Sequence, residues 1–420
     1  MNFKPNPLLY GATEDFYSSF KLAITMSDAV DYDVLSQAVS IAMTRYPYFC
    51  VSPERDGNDI LLAYNPRPVP VFNDGRRVVL GSDECNRHLL FFACEGNRIF
   101  LNASHYIADG MGIDPLLKTV LYLYVAERYG IENLQSDRIC MPCDAISDDE
   151  YAYPFPNAPF DTDDAWPTRK LPEKVYGLNS DAFDKDGLYV YHLHIPQRAM
   201  MSKANPSDGS PVSFLTVMMY RAFCEIDSTV ELPVVAHVQH QYRQALRTPI
   251  NRHSLVSYIS VSLPPRAKKW GVEQQNTVLR GQIIIGSELP EDQKSVNRIL
   301  NAIPQDDNAS LEEKKTAMQR YVAESIEGKT FGISYVGKMD WCGLDRYVKD
   351  IHAYIGEKQT KNMMLIEVMT VGEDFTINLM QSGRGRAYVD AFIEQLRLMD
   401  IPVTLIGEER YTLCDTVIPS

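Results

Sequence analysis

His105 and Asp109 are the residues of this chain whose types and spacing suit chemistry. They stand in Asn102-Ala103-Ser104-His105-Tyr106-Ile107-Ala108-Asp109-Gly110, followed by Met111-Gly112-Ile113-Asp114. A neutral imidazole, with an ordinary pKa of about 6.5, can take a proton from a hydroxyl or amine as that group attacks an acyl carbon. It does so only when one tautomer is fixed. Asp109 can fix the ring directly, or it can pair with a distant Arg and fix the loop. Gly110 lets the backbone turn tightly, and a helix beginning nearby offers N–H donors to a developing oxyanion. A lone His at the end of a buried strand is more often a satisfied core residue, and Asp-Gly is commonly just a turn. What singles this pair out is its setting.

That setting is a strand giving way to a helix. Residues 97–103 read as a buried strand. Residues 115–129 read as a helix with Leu116, Leu117, Val120, Leu121, Tyr124 and Val125 on its inner face and Gly130 as its stop. Strand ends are where reactive side chains sit on a rigid frame and still meet substrate. No Gly-x-Ser-x-Gly elbow is present, so nothing points to a Ser nucleophile.

The segment Ser104 to Gly110 resembles the HHxxxDG motif of the condensation-domain and chloramphenicol-acetyltransferase superfamily. His105 matches the second His, Asp109 the Asp and Gly110 the Gly, while Ser104 replaces the first His. The resemblance implies a fold class of α/β type, with two acetyltransferase-like lobes, each a mixed sheet flanked by helices, and a tunnel between them. It implies His105 as the catalytic base and Asp109 as a mainly structural residue in an ion pair with an Arg of the other lobe. The strand from Val234 that ends in His240-Gln241-Tyr242-Arg243 is similar to the family's Arg-bearing strand, which makes Arg243 the expected partner, with Arg247 and Arg252 as rivals. Phe331 to Trp341 looks like the family's Ser/Asn-x-x-Gly strand beside the tunnel. Ser334, Tyr335 and Ser104 are therefore expected to bind substrate. No bound cofactor is implied; an acyl-CoA or acyl-carrier-protein thioester would be the co-substrate and a small molecule the acceptor.

Composition sets the outer limits. A chain of 420 residues, 45% hydrophobic and 23% charged, has enough material for two sizeable cores. A net charge of −14 argues against nucleic acid as a partner. No run approaches the roughly 18 apolar residues of a membrane span. Met1-Asn2-Phe3-Lys4-Pro5-Asn6-Pro7 has no apolar core of a secretion signal, and the eight cysteines are scattered. A reduced, cytoplasmic protein is expected. Cys140-Met141-Pro142-Cys143 lacks a second pair at zinc-site distance, so no metal is expected.

Residues 1–135 read as a first lobe carrying the His105 motif, 136–186 as a Pro- and Asp-rich connection, and 187–420 as a second lobe. Along the chain we expect strands at 16–25, 48–51, 89–94, 188–195, 255–263, 347–355, 363–371 and 375–380. Helices are expected from Asp31 to about 46, from Ser213 onward, and over 274–287, 311–325 and 387–399. Asp148-Asp149-Glu150 reads as a solvated loop. His192 and His194 share a strand face and read as an inter-sheet or solvent-facing pair before a metal site. Arg266-Ala267-Lys268-Lys269-Trp270, the densest basic cluster, reads as a solvated turn or a phosphate contact. Two functions fit: an acyltransferase acting on a hydroxyl or amine, or a non-catalytic binding or scaffold protein on the same frame. A metal hydrolase has no ligand-spaced motif behind it.

Overall fold

The computed structural model describes residues 2–12, 19–131, 139–156, 159–161, 171–183, 187–304, 306, 308–356 and 363–418. Three sheets are built from them. A three-stranded sheet runs in the order Asn2–Phe3, Asp59–Tyr64, Val51–Asp56. A five-stranded sheet runs Val348–Tyr354, Ser19–Met26, Arg98–Ser104, Leu90–Glu95, Val71–Phe72. A seven-stranded sheet runs Val256–Leu263, Val234–Gln241, Phe331–Lys338, Met364–Val371, Asp374–Gln381, Leu188–Pro196, Thr404–Tyr411.

Side-chain alternation along the seven-stranded sheet gives its two faces different tasks. Ile333, Ile366, Val368, Phe375, Ile377 and Leu379 join a core with the helices Pro211–Ile226, Val272–Gly286 and Ala387–Leu398. The opposite face turns towards the first lobe. Its Val190, Leu365, Met369 and Met380 belong to the first lobe's core, alongside Ile24, Leu101 and Leu117.

Order along the chain and partition in space part company here. Val348–Tyr354, which follows the second lobe's strands in sequence, pairs antiparallel with Ser19–Met26 and so extends the first lobe's sheet. The C-terminal tail also returns: Leu80 N–H donates to Asp415 O, and Leu80 bridges Thr416.

Local rules explain most element ends. Asp31 accepts from Asp33 N and Val34 N and starts the helix Tyr32–Met43. Ser210 rather than Ser213 caps Pro211–Ile226, with Ser213 completing the capping box. Residues 47–49 form a single 3-10 turn, because Pro47 fixes its φ, and the strand starts only at Val51. The helix after the motif spans Gly110–Tyr129, five residues earlier than its apolar pattern suggests. Asp109 starts it, and Pro115 lies inside, leaving the carbonyl one turn back at exposed Met111 without a helical donor. Its end is as expected, with Gly130 left-handed at φ 62°.

Three elements have little sequence signal. Gln197–Ala204 is short. Leu289–Ala302 starts at a proline and buries mainly Val296 and Ile299 as its apolar contribution. Thr404–Tyr411 is an edge strand with charged Glu408, Glu409 and Arg410, as edges that avoid sticking usually are.

Candidate active site

His105 follows the last residue of the strand Arg98–Ser104 and begins a turn whose Tyr106, Ile107 and Ala108 are buried. His105 is half-buried as a residue, and its ring lies 4.7 Å from the Phe20 ring, centroid to centroid. Burial pushes its pKa below the ordinary histidine value; the Asp109 charge and a hydrogen bond to the Ala108 backbone pull the other way. Burial is the larger effect and favours the neutral imidazole. With one nitrogen engaged at Ala108, a neutral ring has the other as its acceptor.

Asp109 does not hold the ring. Its carboxylate spans the lobes instead. Arg243 Nη1 donates to Oδ2 and Nη2 to Oδ1, both at 2.8 Å. Gly112 N–H donates to Oδ1 at 2.8 Å and Leu255 N–H to Oδ2 at 2.9 Å. Arg243 is equally occupied: Nε donates to Asn251 O at 3.1 Å and Nη2 to His253 O at 3.0 Å. Both side chains are buried, Asp109 at 1% and Arg243 at 3% exposure. A planar guanidinium can meet such a fork; an ammonium cannot. The rivals are elsewhere. Arg252 Nε is 3.9 Å from Glu150 Oε2, and Arg247 occupies a turn at φ 55°.

The segment around Arg243 is fastened from outside. Asn251 Nδ2 donates to Asp149 O and Ala152 O, Arg252 N–H donates to Glu150 O, and His253 Nε2 lies 3.0 Å from Tyr151 O. Glu150 is in turn held by Arg45 (2.7 and 3.1 Å) and by the Tyr48 hydroxyl at 2.7 Å. Asp148 and Asp149 are exposed, as expected of a solvated run, but Glu150 departs from it as a buried anchor. Under the same segment, Tyr242, Leu255 and Phe155 pack with Val296 and Ile299.

Gly112 is the glycine that geometry demands. A Cβ there would stand 2.1 Å from Arg252 O, whereas one at Gly110 would meet nothing within 4 Å. The site turn therefore presses backbone to backbone against the second lobe, and nothing short of the fold reveals it.

The other expected residues divide. Ser104 is fully buried, and its hydroxyl accepts from Tyr106 N at 3.3 Å. It shapes the turn from within, with no exposed surface of its own. Ser334 lies on the inter-lobe face, partly exposed, and its hydroxyl donates to Glu367 Oε1 at 3.1 Å. Tyr335, one position on, points the other way: its ring meets Phe375 edge-on and its hydroxyl is 3.0 Å from Thr370 Oγ1. Strand alternation corrects its assignment to the same surface. Arg266, Lys268 and Lys269 sit beyond the strand end at Leu263, opposite the end where Val256 pairs with Gln241 near Arg243. His192 Nδ1 and His352 Nδ1 both meet Asn378 Oδ1, at 2.7 and 2.9 Å, and His194 Nε2 is 3.3 Å from Asp350 Oδ2. These imidazoles stitch the two sheets together. Among the described residues no cluster of His, Cys, Asp and Glu is arranged to hold a metal.

No protein-family model matches the chain, and no curated protein matches it. Solved structures do. The chain is similar to polyketide synthase associated protein 5 from Mycobacterium tuberculosis, with a TM-score of 0.58, 11% identity, and 93% of this chain and 96% of that one covered. It is similar to TRI101 of F. sporotrichioides, solved with Coenzyme A and T-2, with a TM-score of 0.61, 8% identity, and coverage of 97% and 100%. A condensation domain mediating chain release from the enacyloxin polyketide synthase matches with a TM-score of 0.53, 14% identity, and coverage of 93% and 79%. The chain shares the two-lobed α/β fold of these structures.

Proposed function

We propose that the chain transfers an acyl group from a thioester, carried by CoA or by a carrier protein, to a hydroxyl or amine of a small acceptor. The observation that supports it best is the placement of His105 on a turn whose next residues are locked across the lobes by Asp109 and Arg243, with burial favouring the neutral imidazole. The His105 lone pair takes the acceptor's proton as its oxygen or nitrogen bonds to the thioester carbon. The tetrahedral oxyanion then collapses, the carbon–sulfur bond breaks, and the leaving thiolate recovers that proton from the imidazolium. Asp109 acts through position: with its oxygens committed to Arg243, Gly112 and Leu255, it fixes the helix start and the turn.

The test is acceptor-dependent release of free thiol from a panel of acyl-CoAs and loaded carrier proteins, with alcohols and amines offered. His105→Ala should lower kcat by about 10²- to 10⁴-fold and leave the melting temperature nearly unchanged. Release that is equal in wild type and variant would remove His105 as base. Because burial lowers the imidazole pKa, the acid limb of the rate profile should fall below the ordinary value of about 6.5.

A further inference from the structure

Glu367 is the buried acid that the proposed reaction leaves unused. Strand pairing places Ser334, Glu367, Asn378 and His192 on one rung across four neighbouring strands. All four point towards the first lobe, because Leu365 and Met369, two positions either side of Glu367, pack into that lobe's core. Glu367 is 3% exposed and Asn378 fully buried. Glu367 Oε1 accepts from Ser334, and Asn378 Oδ1 accepts from the two imidazoles. Glu367 Oε2 and Asn378 Nδ2, on directly opposed residues, are both buried without a hydrogen-bond partner among the described residues.

Two such orphans on one rung are costly unless something fills them. A single occupant filling both would serve an amide N–H and a carboxyl oxygen together. An ammonium would satisfy the carboxylate and leave Asn378 Nδ2 stranded. A carbonyl accepts from Asn378, and from Glu367 as well only while that acid keeps its proton; once Glu367 ionises, the carbonyl leaves it stranded. A hydroxyl accepts from Nδ2 and donates to Oε2.

We infer that Glu367 and Asn378 form a recognition site for a hydroxyl group of the acyl acceptor, separate from the hydroxyl or amine that is acylated. This rests on the acyl-transfer reading and narrows it to acceptors with a second oxygen function, reaching the rung past the partly exposed Ser334. Burial pushes the Glu367 carboxyl up to about 7, so a hydroxyl donor should bind more tightly as pH rises through that value.

The experiment compares straight-chain 1,n-diols with the matching mono-alcohols, using wild type, Glu367→Met and Glu367→Gln. Two readouts are taken: thiol release from acyl-CoA, and the ligand-induced change in melting temperature. One diol length should exceed its mono-alcohol by about tenfold in kcat/KM, one net hydrogen-bond pair's worth. The ratio should collapse towards one in Glu367→Met. Glu367→Gln, which keeps shape and polarity, should retain a preference that no longer varies with pH, and it decides the matter if the Met variant does not fold. No diol preference in wild type, or an undiminished one in Glu367→Met, overturns the inference and leaves a bound water as the occupant. If no acceptor is acylated but a diol still raises the wild-type melting temperature and not that of Glu367→Met, the acyl-transfer reading falls and the hydroxyl site stands.

Discussion

Asp109 and Glu367 are both carboxyls buried between the lobes, and they are treated oppositely. Asp109 has a bidentate Arg243 and two backbone N–H groups on its two oxygens. Glu367 has one serine hydroxyl on one oxygen and, among the described residues, nothing on the other. The first arrangement spends every lone pair on holding two lobes and a helix start in register. The second leaves binding capacity unspent on a polar rung flanked by Leu365, Met369 and Met380. A saturated charge is architecture; an unsaturated one at the same depth is available to a ligand or a proton.

The comparison breaks most visibly at Arg243. Arg243→Ala strands the Asp109 carboxylate in the interior and should cost about 3–5 kcal/mol, read as a lower denaturant midpoint at unchanged slope. Arg243→Lys should recover little, because an ammonium cannot reach both oxygens together with Asn251 O and His253 O. A variant as stable as wild type would show that the pair is decorative.

Glu367 should respond to pH rather than to truncation. Its pKa is raised from 4.5 to about 7 in the folded state, so the folded protein holds a proton that the unfolded chain has lost between those values. Stability is full below 4.5 and declines as pH climbs towards about 7. Each unit is worth about 1.4 kcal/mol, so the total is about 3 kcal/mol. Glu367→Gln should remove that decline, giving a flatter stability curve. Parallel curves for the two proteins would mean that the carboxyl is hydrated and ionised throughout.

A smaller contrast concerns the glycines beside Asp109. Gly112→Ala drives a methyl against Arg252 O and should cost about 1–3 kcal/mol. Gly110→Ala meets open space and should alter stability by no more than about 0.5 kcal/mol. Equal losses in thermal melts would mean that the helix start tolerates displacement, and that the close approach is not what fixes the turn.

These residues also mark how far the sequence could be read. The strand–turn–helix around His105 was legible because alternation, helical spacing and the Gly130 stop agree locally. The Arg243 partner came through a family resemblance; its own neighbourhood offers Arg247 and Arg252 equally well. The motif singled out Gly110 and passed over Gly112, since the need for Gly112 arises from Arg252 in the other lobe. Glu150 read as surface charge because its partners Arg45 and Tyr48 lie a hundred residues away. Glu367 was invisible inside an apolar run, and only the register of its two neighbouring strands gives it Ser334 and Asn378. Tyr335 was misassigned for the complementary reason: adjacent residues in a strand face opposite ways. Pairwise geometry across long sequence separations is what composition and spacing omit.

The finest test of the comparison is Ser334. Among the described residues its hydroxyl is the one hydrogen bond that favours the ionised form of Glu367, against the desolvation that opposes it. Ser334→Ala removes that support and should raise the carboxyl further above its ordinary range. While the acid is neutral, the cost is one ordinary hydrogen bond, about 1 kcal/mol; once it ionises, the lost bond is charge-assisted and costs about 1.5–3 kcal/mol. The variant should therefore sit slightly below wild type under acidic conditions and fall further behind as pH passes about 7. Chemical denaturation across that range reads the difference directly. A deficit constant with pH would mean that Glu367 draws its remaining stabilisation from elsewhere on the rung, and the contrast with Asp109 would then be one of degree.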